Sequence, residues 1–100
     1  MKNFRTYQLA VQFYRQTQTQ TVPGHLRNQL DRAASSIPLN LAEGQGRIGQ
    51  KDKLRFYRYA FGSVRECQSI LALVDADSNT RHTLDHLAAS LYRLIQKAAP

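Results

Sequence analysis

A chain of 100 residues with 42% hydrophobic residues has the size of one small domain, and its single cysteine, Cys67, excludes a disulfide scaffold. Its formal net charge of +7 favours polyanionic partners such as RNA or DNA. The sequence has neither an N-terminal signal core nor the ~20 consecutive apolar residues of a membrane span. We therefore expect a cytoplasmic protein with one domain over residues 1–100.

The first two predicted elements are helices joined by a polar connection. Apolar residues step by three and four along the first helix, which Asn3 is placed to cap, and so lie on one face of it. They are Phe4, Tyr7, Val11 and Tyr14. The alternating Gln/Thr segment 16–21 has no apolar face and is predicted to be a frayed end and connection. Pro23 suits the first turn of the second helix, with Thr21 or Val22 near its cap. The predicted core stripe of that helix is Leu26, Leu30, Ala33, Ile37 and Leu41.

Glycines end the second helix, and two further helices follow. Gly44, Gly46 and Gly49 mark this end, and Asp52 suits the positive N-terminus of the third helix. The predicted core face of the third helix is Leu54, Tyr57, Phe61, Val64, Leu71 and Val74. Segment 75–79 supplies turn and cap residues before a fourth helix with leucines at heptad spacing. These are Leu84, Leu87, Leu91 and Leu94. The predicted fold is all-α, an antiparallel up-down four-helix bundle.

Pro38 interrupts the apolar pattern of the second helix and predicts a kink there. Its nitrogen cannot donate to the carbonyl of Ala34, and its ring should bend the helix. Ser35 or Ser36 is placed to satisfy the freed backbone groups. We therefore expect one proline-kinked helix rather than two separate helices.

Beyond the proline, polar and small residues fall on one helical face. They are Asn40, Glu43, Gly44 and Arg47. The spacing of Glu43 and Arg47 allows an ion pair, and Gly44 allows another backbone to approach closely. Two interpretations of this face are open: a polar network that fixes packing between helices, and a ligand or RNA site.

The third helix carries a basic stripe on a face that differs from its core face. Its cations, at steps of four, three and seven residues, are Lys51, Arg55, Arg58 and Arg65. With Tyr59 beside them and Arg47 at the junction with the second helix, they form the predicted nucleic-acid site. Phosphates would follow the cations while Tyr59 stacks on a base. The alternative is a solvated face whose charge Glu66 partly offsets.

Phe56 and Tyr59 also lie off the predicted core face. A second apolar face implies a partner surface, and self-association is its simplest source. The competing interpretation places Phe56 at the edge of the bundle.

Candidates for catalysis and metal binding are weak. The spacing of His82 and His86 can hold zinc, but two such histidines are more typical of a helix surface. Cys67 follows the core rhythm and is predicted to be a packed small side chain rather than a nucleophile. Asp75 and Asp77 flank a turn and are predicted to be caps. We predict no enzyme activity, no cofactor and no metal.

Two sequence blocks resemble a known family. Residues 29–44, Gln-Leu-Asp-Arg-Ala-Ala-Ser-Ser-Ile-Pro-Leu-Asn-Leu-Ala-Glu-Gly, resemble the hallmark of the 23S ribosomal RNA intervening-sequence proteins, bacterial four-helix bundles. The residues that resemble the second block are Phe56, Ala60, Gly62, Ser63 and Glu66. The resemblance extends from Phe4 to about Leu94. The structural signature that it implies is Arg32, Ser36, Pro38, Asn40, Glu43, Gly44, Gly62, Ser63 and Glu66.

This family is similar in fold to the accessory variability determinant proteins of diversity-generating retroelements, which form homopentamers and bind nucleic acid together with a reverse transcriptase. The resemblance therefore implies a nucleic-acid-binding accessory protein, with RNA favoured over DNA, that acts as a homopentamer beside a reverse transcriptase or ribosomal RNA. The chain departs from the commoner pattern in its short connection between the first two helices and in Phe61 between Ala60 and Gly62. The alternative is a structural or protein-interaction bundle whose basic charge is incidental.

Overall fold

The computed structural model describes residues 4–100 as four helices with short connections. They are α1 (Arg5–Thr17), α2 (Gly24–Gln45), α3 (Gln50–Leu71) and α4 (Ser78–Ala98). Within this part of the chain there is no strand, which confirms the predicted all-α class. α1 packs against α2 and α4, and α3 packs against the same two helices, an arrangement consistent with a four-helix bundle. No helix in residues 4–100 is long and apolar enough to cross a membrane.

The core lies along the centre of the four helices, where each buries one apolar stripe. Its largest fully buried apolar side chains are Phe13, Leu30, Ile37, Leu41, Val64, Leu71, Leu87 and Leu91. The predicted stripes of α2 and α4 are confirmed, except that Leu26 and Leu94 are half-buried at the margin. Cys67 is fully buried, as predicted, and burial raises the pKa of its thiol to about 12, with a smaller contribution from Glu66.

The apolar face predicted for α1 lies at the margin of the core. The buried residues of α1 are Thr6, Leu9, Ala10, Phe13 and Thr17. Tyr7, Val11 and Tyr14 are half-buried beside this stripe, and Tyr7 and Tyr14 pack against the core. The two buried threonines are tolerated because both hydroxyls have partners: Thr6 Oγ1 lies 2.6 Å from Ser90 Oγ, and Thr17 Oγ1 donates to the Tyr14 carbonyl.

Phe61 and Val74 are the second correction to the predicted core. Val74 is half-buried and lies beyond the end of α3. Phe61 is half-buried, and its ring centroid lies 6.3 Å from that of Tyr92. Ala60 and Val64 occupy the adjacent core positions with no exposed surface. Small side chains allow α3 to approach its neighbours closely, so the larger phenylalanine ring lies at the α3–α4 margin.

Two arginines at equivalent places hold the turns that precede α2 and α4. Arg27, the fourth residue of α2, donates to the carbonyls of Thr17 (3.0 Å) and Gln20 (3.1 Å). Arg81, the fourth residue of α4, donates to the carbonyls of Val74 (2.6 Å) and Ala76 (3.2 Å). Each guanidinium therefore satisfies backbone carbonyls at or beyond the end of the preceding helix, where no intrahelical donor is available.

The helix caps differ in part from the predictions. The predicted cap Asn3 lies outside the described residues, and Pro23 is the N-cap of α2 rather than a residue of its first turn. Asp77 caps α4 as predicted, since its side chain accepts a hydrogen bond from Thr80 N at 2.8 Å. Gln20 exchanges two further hydrogen bonds with Asp77, at 3.1 and 2.9 Å. Hydrogen bonding to Thr80, then to Gln20, lowers the pKa of Asp77.

Helix α2 continues through Pro38, which is buried. The neighbouring serines do not bond the Ala34 carbonyl that the proline leaves without a donor. Instead, Ser35 Oγ donates to the Arg32 carbonyl at 3.1 Å, and Ser36 Oγ donates to the Ala33 carbonyl at 2.9 Å. The serines thus bond carbonyls three residues earlier, which is the ordinary reach of a hydroxyl within a helix.

Candidate nucleic-acid interface

The signature residues of the two sequence blocks meet where α2 packs on α3. Ser36 Oγ and Ser63 Oγ form a hydrogen bond between these helices. Arg32 lies 3.3 Å from the Glu66 carboxylate, and this pair is exposed to solvent. The two serines are 27 residues apart in sequence, and Arg32 and Glu66 are 34 residues apart. The two sequence blocks therefore contact each other in the folded chain.

Gly44 is a point of close contact between α2 and α3. A Cβ at this position would lie 2.7 Å from Tyr57 Cε1 and 3.2 Å from Phe56 Cβ. The Tyr57 hydroxyl donates to Gln45 Oε1, and burial raises the pKa of Tyr57. This close contact confirms that Gly44 allows another helix to approach, and it positions the start of α3 against the end of α2.

The polar face beyond Pro38 divides into a packed part and a surface part. Asn40 Nδ2 donates to the Ser36 carbonyl at 2.9 Å, within α2 itself. Glu43 and Arg47 form the predicted ion pair at 2.8 Å, with both side chains partly exposed. Gly44 therefore serves helix packing and Asn40 bonds its own helix, whereas Arg47 is partly exposed at the surface near α3.

The first half of α3 brings four of the predicted site residues together. A surface groove of about 500 Å³ is lined by Gly49, Lys51, Asp52, Leu54, Arg55, Arg58 and Tyr59. Among its lining residues are three cations and one carboxylate. Arg65 does not reach this groove: it lies over the Phe61 ring at 5.1 Å and donates to Gln68 Oε1. The predicted stripe is thus a compact basic groove plus one cation farther along α3.

Phe56 connects Arg47 to this groove. The guanidinium carbons of Arg47 and Arg55 lie 4.8 and 4.7 Å from the Phe56 ring centroid, within cation–π range. Tyr59 meets the same ring edge-on, with centroids 5.6 Å apart. We call Arg47, Arg55, Phe56 and Tyr59 the Phe56 cluster.

Sequence reasoning did not assign Phe56 to the site, because its contact with Arg47 crosses the turn between α2 and α3. No helical spacing relates the two residues. The ring is half-buried under side chains of its own chain, which favours the interpretation that Phe56 lies at the edge of the bundle. The sequence does carry one signal for a role of Phe56 in the site: it directly follows a cation of the basic stripe, Arg55.

Two carboxylates partly balance the guanidinium groups of the cluster. Asp52 accepts from Arg55 at 3.2 Å, and Glu43 pairs with Arg47. Hydrogen bonding to Tyr59, then to Asp52, raises the pKa of Arg55, so this side chain keeps its charge at every physiological pH. Lys51 and Arg58 are exposed beside them. Since exposed ion pairs are weak, phosphate oxygens can compete with both carboxylates for the guanidinium groups.

Over residues 3–98 the chain matches the family model of the 23S rRNA-intervening sequence protein. The chain belongs to this family. No curated protein matches it significantly. The match spans both signature blocks and the whole basic groove, so the signature contacts and the candidate site occur within a single family domain.

Within this chain, the two signature glycines have different surroundings. Gly44 is buried against Tyr57, whereas Gly62 is exposed and a Cβ built there would meet no atom within 4 Å. Packing within one chain therefore explains Gly44 and does not explain Gly62.

His82 and His86 lie together on the exposed surface of α4, with ring centroids 4.4 Å apart. In residues 4–100 no group of three or more His, Cys, Asp or Glu side chains is arranged to hold a metal ion. The pair is remote in sequence from the basic groove and forms no part of the candidate site.

Proposed function

We propose that this protein binds nucleic acid, RNA in preference to DNA, through the basic groove of α3, and that it acts without catalysing a reaction. The observation that carries the proposal is the convergence of Lys51, Arg55 and Arg58 with Tyr59 around one groove that contains a single carboxylate, Asp52. The net charge of +7 and the family's name, which refers to 23S rRNA, support it.

The physical basis of binding is neutralisation of phosphates with release of counterions. The four cations of the predicted stripe are Lys51, Arg55, Arg58 and Arg65. If each met one phosphate of a single strand, log affinity would fall with log salt with a slope of roughly 3 per protomer. An affinity that does not change with salt concentration would contradict the proposal.

Charge reversal tests the position of the site. The variant Lys51→Glu, Arg55→Glu, Arg58→Glu should lose RNA retention in gel-shift assays while its circular dichroism remains helical. A matched control, Arg5→Glu, Arg93→Glu, Lys97→Glu, makes the same change in net charge on exposed positions of α1 and α4. This control should keep most of the binding. Equal losses in both variants would show that net charge, rather than the groove, determines binding.

The proposal includes a homopentamer. Two separate apolar surfaces support self-association: exposed Tyr92 beside Phe61 on α3–α4, and a groove on α1 that includes Tyr7 and Val11. Contact between unlike surfaces forms a ring when the rotation closes. Light scattering at micromolar concentration should give a single species of pentamer mass, and a monomer alone would reject this part of the proposal.

We further propose that the protein acts in the cytoplasm beside ribosomal RNA or a reverse transcriptase, and that its helices run antiparallel with α2 bent at Pro38. The bonds between Gln20 and Asp77, which link the α1–α2 and α3–α4 connections, support the antiparallel order. Co-purification with RNA and with a co-expressed reverse transcriptase, compared before and after nuclease treatment, tests the partners.

A protein-interaction bundle is the second candidate function. It is favoured by exposed apolar side chains outside the basic groove: Leu39 is 68% exposed, Leu73 71% and Ile48 100%. Under this alternative, substituting these residues by serine abolishes partner capture, whereas charge reversal of the groove does not.

A further inference from the structure

We propose that the groove selects an unpaired nucleotide, with Tyr59 stacking on its base while Arg47 and Arg55, held on Phe56, bind its flanking phosphates. This inference rests on the proposed nucleic-acid function and specifies the class of ligand. RNA and DNA single strands share the chemistry that it requires.

Tyr59 has the exposure that a base platform needs. Its side chain is 50% exposed and lines the groove together with Lys51 and Arg58. The edge-on contact with Phe56, at an interplanar angle of 87°, restrains the ring. A restrained aromatic face among cations is the arrangement on which single-stranded bases stack, whatever their sequence.

Phe56 is a positioning residue in this proposal. It contacts the guanidinium of Arg47, which follows α2, and that of Arg55 on α3. Two charges from different elements are thereby held near one ring and beside Tyr59. Glu43 and Asp52 also pair with these two guanidinium groups, so the cations are ordered before a phosphate arrives.

Duplexes cannot use this platform. In a duplex each base face is covered by its neighbours, so an aromatic side chain can stack only on a base that is unpaired or splayed out. Phosphates of a duplex can still contact Lys51 and Arg58. The groove therefore gives a basal electrostatic affinity for any polyanion and an additional affinity for unpaired bases.

The test compares three ligands of equal length: a single-stranded oligouridylate, an abasic phosphodiester with the same charge, and a blunt RNA duplex. The wild-type protein should bind the oligouridylate about 5- to 150-fold more tightly than the abasic strand, the gain expected from one stacked base. Tyr59→Ala should reduce this ratio to about one. Tyr59→Phe should retain it, because the ring remains.

His25→Ala is the control. His25 carries an exposed ring on α2, and it lies outside both the basic groove and the surfaces proposed for self-association. Its removal should leave the ratio unchanged. If His25→Ala abolishes the ratio and Tyr59→Ala does not, the assignment of the platform is wrong.

Phe56→Leu tests the positioning role. The variant keeps an apolar side chain but loses the ring that holds the two guanidinium groups. It should weaken binding of both the oligouridylate and the abasic strand. The salt slope should fall by about one, because Arg47 and Arg55 are no longer held in position to bind phosphates. An unchanged salt slope, in a variant that remains folded by circular dichroism, would reject this role.

The outcomes separate this inference from the proposed function. If the wild type binds the oligouridylate, the abasic strand and the duplex equally, the inference fails while nucleic-acid binding stands. If none of the three binds, both fail. Single-stranded DNA of the same length distinguishes RNA from DNA: equal binding retains the inference and contradicts the RNA preference.

Discussion

The signature segment of α2 and the basic groove of α3 differ in how their polar groups are satisfied. In the signature segment, Ser36 bonds Ser63 and Asn40 bonds the Ser36 carbonyl, so polar atoms are satisfied within the chain. In the groove, Lys51 and Arg58 face solvent. The first region uses polar groups to hold helices together, and the second presents charge outward.

This difference shows why the most recognisable residues are not those proposed to bind a ligand. Signature residues such as Gly44 are constrained by a specific neighbour at a specific distance, so they form a readable pattern. An electrostatic surface requires only cations on one face, and many sequences provide that. Family membership thus follows from packing, whereas the proposed function depends on an exposed surface.

The largest expected effect is a loss of stability on substitution of a buried residue in the signature segment of α2, compared with an exposed residue on the opposite face of the same helix. Ile37 is fully buried and Leu39 is 68% exposed, although only Pro38 separates them. Ile37→Ala should lower the free energy of unfolding by about 2–5 kcal/mol, because it removes buried methyl groups and leaves a cavity. Leu39→Ala should change it by less than about 0.5 kcal/mol. Urea unfolding measures both, and similar losses would place Leu39 in a buried interface.

The two signature glycines provide the next test. Gly44→Ala should lower the free energy of unfolding by about 1–2 kcal/mol, because the clash with Tyr57 exceeds the gain in helix propensity. Gly62→Ala should raise it by up to about 1 kcal/mol, since the new methyl group meets open space. Thermal unfolding of the matched pair checks both signs. A destabilised Gly62→Ala would indicate that another surface packs there.

The exposed ion pair between the signature blocks has a smaller expected effect. Arg32 and Glu66 lie 3.3 Å apart with side chains 73% and 42% exposed. A double-mutant cycle to alanine should give a coupling energy below about 1 kcal/mol that decreases in high salt. A large coupling that persists in salt would mean that the pair is buried in an assembly.

Asp77, outside both regions, has the smallest expected effect. Its folded-state pKa is lowered, so its ionised form stabilises the fold above the unfolded pKa of about 4. This stabilisation is lost as the pH falls through the folded value. Asp77→Asn should therefore flatten the decline in stability on acidification, measured by urea unfolding between pH 6 and pH 3. Parallel curves for the two proteins would show that Asp77 does not contribute to the decline.

The sequence predicted four helices and the stripes of α2 and α4, because leucine and isoleucine at helical spacing leave little choice of buried face. It did not identify the buried stripe of α1, because two faces of that helix carry apolar residues and the packing of α2 and α4 decides which one is buried. The predicted burial of Phe61 was wrong for the same reason, since burial there depends on how closely α3 and α4 pack. Cys67 and the Glu43–Arg47 pair were predicted correctly because helical spacing decides them.

The site was predicted in part. The spacing of cations on α3 was sufficient to select Lys51, Arg55 and Arg58, which line one groove with Tyr59. Arg65 shares the helical face but contacts Phe61 instead. The contact of Phe56 with Arg47 depends on how α3 returns against α2, and no local spacing encodes it.

The sequence by itself determined the helical class, the family signature and the positive charge, because periodicity, turn residues and composition act locally along the chain. Only the tertiary structure decided which apolar stripe is buried, which signature residues meet, and which cations share a groove. These depend on distances between residues far apart in sequence. Gly44 connects the two levels, because its lack of a side chain is a local property that allows α2 to pack against Tyr57 and Phe56. This packing places Arg47 beside the basic face of α3.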